Sequence, residues 1–66
     1  MMLRNYQGKQ IALTTIKGKS YRGKGLEFIF AEDNNPPKNS LIIRAVGYEY
    51  PVEIYEDEVE SIEIVK

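Results

Sequence analysis

Cysteine, histidine and tryptophan are all absent from this 66-residue chain. Without cysteine there is neither a disulfide nor a thiolate metal ligand. Without histidine most structural zinc sites are excluded too. Serine–histidine and cysteine–histidine catalysis both need an imidazole, the side chain whose unperturbed pKa lies near neutrality. A paired-carboxylate glycosidase remains open in residue terms, but it needs a sugar-sized cleft. So short a chain gives little wall for one. The chain therefore reads as a non-catalytic module with no cofactor and no metal. No apolar run approaches the roughly 20 residues of a membrane span. Met1-Met2-Leu3-Arg4-Asn5 is too short and too polar for a signal peptide. A cytoplasmic protein with no membrane contact is expected.

The length is enough for one domain, taken as residues 1–66, with 1–8 as a short helical or irregular lead-in. A domain this small buries only about 60% of its unfolded surface, and such chains usually carry a staple. With disulfides and zinc excluded, self-association is the staple left, and strand edges are its natural route.

Charge is close to balanced overall but unevenly placed. Residues 1–44 carry eight basic and three acidic side chains, while residues 45–66 carry one basic and seven acidic. A basic half attracts phosphate. It equally suits the acidic half of a neighbouring subunit, or simply solvated strand faces.

No segment keeps a helical period. Apolar residues alternate or run in short blocks between turn residues, as strands do. Ile11–Ile16 is a first strand, and Gly18 in Lys17-Gly18-Lys19-Ser20 supplies a hairpin turn. A second strand runs from Tyr21 to about Phe30, with Leu26, Phe28 and Phe30 on one face. Gly23 and Gly25 share a face and mark a bend or a close backbone approach. Ala31–Ser40, with Pro36-Pro37, is irregular. Leu41–Val46, Pro51–Tyr55 and Val59–Val65 complete five strands, the last with Ile62 and Ile64 on one face. The expected fold is all-β: a small, strongly bent, partly open barrel, with an open meander as the alternative.

Gly18-Lys19-Ser20-Tyr21-Arg22-Gly23-Lys24 followed by Ala31-Glu32-Asp33-Asn34 resembles the first motif of the Sm and Sm-like proteins. The similarity in strand order extends from Gly8 to Val65. The resemblance implies a five-stranded barrel that assembles into rings through its fourth and fifth strands and binds single-stranded RNA at the inner rim. Two features depart from the family. Gly23 and Asp33 stand further apart than in the family, with Pro36-Pro37 following. Ile54-Tyr55-Glu56-Asp57-Glu58 occupies the place of the second motif, with acids where Arg-Gly is expected. A Src-homology-like barrel fits the same strand pattern.

Two groups of residues read as nucleic-acid contacts. Asp33, Asn34 and Asn35 offer planar donors and acceptors to a base, and read equally as turn chemistry around the prolines. Lys19, Tyr21, Arg22 and Lys24, with Lys17, combine cations and an aromatic ring as single-strand binders do. They also suit a lysine-protected edge hairpin. Tyr48, Tyr50 and Tyr55 are residues of the type enriched at protein interfaces, or are half-buried against the barrel. Glu56, Asp57, Glu58 and Glu60 have no calcium-loop spacing and read as a solvated turn. The expectation is a self-associating module for single-stranded nucleic acid. The alternative is a protein-interaction module or structural subunit that uses the tyrosines and the acidic end.

Overall fold

The structure is a computed structural model that describes residues 2–65; Met1 and Lys66, the two ends of the expected domain, lie outside the described residues. Five strands form one antiparallel sheet: β1 (Gln10–Thr15), β2 (Ser20–Ile29), β3 (Ser40–Ala45), β4 (Val52–Tyr55) and β5 (Val59–Ile64). Their order across the sheet is β4-β3-β2-β1-β5. Three short 3₁₀ turns accompany them: η1 (Leu3–Tyr6), η2 (Ala31–Asp33) and η3 (Glu56–Glu58). The architecture is all-β, with no α-helix among the described residues. None of the helical turns is long and apolar enough to cross a membrane.

The register sorts the side chains. Ile11, Leu13 and Thr15 are buried on β1, and they pair with Gly23 and Tyr21 on one side and with Ile64, Ile62 and Val59 on the other. Leu41, Ile43 and Ala45 of β3 continue this inner face, and Ile54 of β4 closes it. Each apolar position alternates with an outward one, the period-2 pattern that fixes the register. The expected strands are present with ends shifted by a residue or so. Ile16 falls outside β1 and is exposed.

The two glycines of β2 are where the curvature is made. A Cβ on Gly23 would collide with the Arg44 carbonyl, and one on Gly25 with the Tyr6 carbonyl. Glycine alone lets those backbones close in. The β2–β3 register then slips between Gly25 and Glu27. This bulge changes which residues face inward. Phe28 packs on the core opposite Leu41, whereas Phe30 lies beyond the strand and is exposed. Leu26, at the bulge, leaves the face its spacing suggested, while Phe28 and Phe30 keep it and meet edge-on with ring centres 5.0 Å apart.

The lead-in is structured. η1 buries Leu3 completely, and the chain after it is tied to the bend: Gly8 N–H donates to the Gly25 carbonyl (2.7 Å) and Phe28 N–H to the Gln7 side-chain oxygen (2.7 Å). A three-residue connection joins the two outermost strands. In a flat sheet four steps of about 4.8 Å would part β4 from β5 by about 19 Å, yet a three-residue 3₁₀ turn rises only about 6 Å. The sheet is therefore strongly curled. It is not closed, because β4 and β5 form no ladder with each other. η3 bridges the gap instead: Glu56 N–H donates to the Asn39 carbonyl beside β3, and the Glu58 carbonyl accepts from Ile16 N–H beyond β1.

Candidate nucleic-acid interface

The β1–β2 turn is organised by Thr15. Its backbone N–H donates to the Lys19 carbonyl (2.8 Å), its carbonyl accepts from Gly18 N–H (2.9 Å) and its buried hydroxyl accepts from Lys19 N–H (3.1 Å). Gly18 sits at φ 84°, where a side chain would be strained. This fixes Lys19 at the head of β2. The Lys19 ammonium lies 5.7 Å from the Tyr21 ring centre and 5.8 Å from that of Tyr48, and the two rings are 5.3 Å apart. Cation–π attraction holds such a group together. Electrostatic attraction to Tyr21 is the main influence raising the Lys19 pKa above its ordinary value.

Beyond this cluster β2 turns Arg22 and Lys24 outward, both exposed, while Tyr21, Gly23 and Gly25 face in. Lys24 stands directly opposite Arg44 of β3, which is also exposed and outward. Three cations thus share one face. Among the described residues none of them forms an ion pair; Lys38 with Asp57 (2.8 Å) is the one pair formed there. Next to Arg22 the outer face dips into a groove of about 700 Å³, floored by Ala12, Thr14, Ser20 and Ser61, with Glu63 on its far side.

Asp33, Asn34 and Asn35 lie past the other end of β2 from Lys19, and no hydrogen bond or ring contact joins the two groups. The Asn34 amide is already occupied. It donates to the Lys38 carbonyl (2.6 Å) and to the Ser40 hydroxyl (3.0 Å), which in turn donates to Glu53 (2.7 Å). Asp33 and Asn35 are exposed. Asn39 joins the 31–39 segment to η3, accepting from Ala31 N–H (2.8 Å) and donating to Glu56 (3.3 Å). Here the structure brings the 31–39 segment against η3, in a surface lined by Ala31, Lys38, Asn39, Glu56 and Asp57. Hydrogen bonding to Asp57 is the main influence raising the Lys38 pKa. No cluster of three or more potential metal ligands forms among the described residues.

The three tyrosines separate. Tyr48 packs against Tyr21 with the rings tilted by 43°, Tyr50 is 74% exposed, and Tyr55 is half-buried beneath Lys38, whose ammonium lies 5.9 Å from its ring centre. Sequence reasoning missed Arg44. Its position opposite Lys24 depends on a register that no local pattern reveals.

No family model matches this chain, and no curated protein or solved structure matches it.

Proposed function

We propose that this chain is a non-catalytic, cytoplasmic binding module that takes single-stranded nucleic acid along the outer face of β2 and β3. The Lys24–Arg44 pair, with Arg22 beside it, carries this reading. Like charges directly opposite on a sheet are destabilising. A polyanion laid across them removes that cost and releases counterions. The Lys19–Tyr21–Tyr48 cluster lies at the head of the same strand but on its inward side, apart from the three cations. A bent barrel of the Sm-like or Src-homology-like kind is the finer fold we propose. In its favour are the glycine bend and the three-residue link between the edge strands. The ligand's place differs from that implied by the family resemblance. The 31–39 segment and η3 present acids that repel phosphate, so the β2–β3 face is preferred to the rim.

A second reading, a protein-interaction module, draws on Val46 and Tyr50, which are 76% and 74% exposed on the connection after β3. Titration of a labelled oligouridine between about 50 mM and 200 mM salt separates the two. Single-strand binding should weaken with a log–log slope of roughly −0.7 per phosphate, so about −2 for three cations. Absence of binding at the low salt rejects the nucleic-acid reading.

A further inference from the structure

Among the described residues β5 is bonded to β1 along one side only, and its other side borders no strand. Its inward residues extend the core row outward: Ile62 pairs with Leu13 and Ile64 with Ile11, both buried. Ile62 is only half-buried and Ile64 is 53% exposed, so the apolar row stops uncovered at the edge. Its polar residues are acidic or neutral. Glu60 sits at the register shift opposite Thr14 and Thr15, Ser61 and Glu63 face outward, and Glu58 precedes the strand. Residues 45–65 contain no basic side chain.

Charged edge residues normally protect a sheet from further pairing. Protection alone does not account for an exposed Ile64 beside the free edge, with Ile62 only half covered next to it. Nor does a second copy fit well. The other free edge is β4, which carries Glu53 and is flanked by Glu49 and Glu56, so pairing it with β5 sets acid against acid. Two copies of β5 meet the same repulsion. We propose that the free edge of β5 accepts an extended peptide strand from another protein, aliphatic on its inward positions and lysine- or arginine-bearing on its outward ones. Backbone pairing to the edge supplies affinity, and the alternate side chains supply selectivity. This edge is separated from β2 by β1, and the proposal stands whether or not nucleic acid binds at the β2–β3 face.

The test is an amide-shift titration of the isotopically labelled chain with a blocked lysine–valine alternating peptide about ten residues long, beside its glutamate–valine counterpart. Saturable shifts over 59–65 with the basic peptide alone, and slowed hydrogen exchange at β5, are expected. The charge reversal Glu60→Lys/Glu63→Lys should weaken basic-peptide binding about tenfold. Should that pair disturb the fold, Glu63→Gln alone should weaken it about threefold. Equal response to both peptides, or shifts centred on β4 or on Arg22, Lys24 and Arg44, overturns the proposal. So does β5 protection that arises with dimerisation and without peptide.

Discussion

Lys24 on β2 and Arg44 on β3 face each other across an antiparallel ladder, on the outward side of a sheet whose inward neighbours are Gly23, Gly25, Ile43 and Ala45. Two cations at a separation of about 5 Å between Cα atoms oppose folding of the free protein. The cost is modest because both are solvated. Lys24→Glu should turn repulsion into attraction and stabilise the fold by about 0.5 kcal/mol, which in a chain of this size is a rise in Tm of about 2–4 °C. The same change should abolish oligouridine binding at low salt. Thermal melting and anisotropy on one sample read both effects. A variant that is more stable and binds unchanged would leave the pair without a role in binding.

Gly23 is constrained by space. An alanine Cβ there meets the Arg44 carbonyl, which is locked in the β2–β3 ladder. Relief requires the two strands to part at the bend. Gly23→Ala should cost about 3 kcal/mol, at the upper end of overpacking penalties. A chain this small has only about 3–5 kcal/mol to lose, so about 0–2 kcal/mol should remain and the circular-dichroism melt should move to a much lower temperature. Gly18→Ala, strained at a positive φ but with open space around it, should cost about 1–2 kcal/mol and fold.

Asn34 distinguishes a fastener from a base reader. Its amide ties the Lys38 carbonyl to the Ser40–Glu53 hydrogen bond, and Ser40 is fully buried. Asn34→Ala should destabilise by about 1–2 kcal/mol, the cost of leaving buried partners unsatisfied. Oligouridine affinity, measured on the folded fraction, should not change. An affinity loss at unchanged stability would return the 33–35 segment to the binding site.

The glycines were the most informative letters in the sequence. Gly18 announced a tight turn and Gly23 with Gly25 announced a bend, because only sterics decide those positions. The strand blocks were legible for a similar reason: burial on one side imposes alternation. The bulge at Leu26 was not legible, since it is set by how β2 meets β3, and with it went the facing of Leu26. The candidate site divided along the same line. Lys19, Tyr21, Arg22 and Lys24 could be grouped from local spacing. Arg44 joins them only through register across more than 15 intervening residues. Asn34 looked like a free donor because the sequence does not show the buried hydroxyl of Ser40 that engages it.

Both free edges of the sheet are acidic, and this bears on the staple expected for so small a domain. β4 and β5 lie within residues 49–65, which hold seven acidic and no basic side chains. Pairing β4 of one copy with β5 of the next would align Glu53 with the Glu60–Glu63 stretch. Screening lengths fall from about 10 Å at 0.1 M salt to about 3 Å at 1 M, so this repulsion fades with ionic strength. Light scattering at fixed protein concentration should therefore give a monomer mass in dilute buffer and a larger mass in about 1 M salt. Glu53→Lys should bring the larger species into dilute buffer, because it places one cation on the edge that must meet β5. A ring-sized mass in dilute buffer for the unaltered chain would show that backbone pairing, with the half-buried Ile62 and exposed Ile64, outweighs the charge. Self-association would then be the staple, formed through the edges that the acids were expected to hold apart.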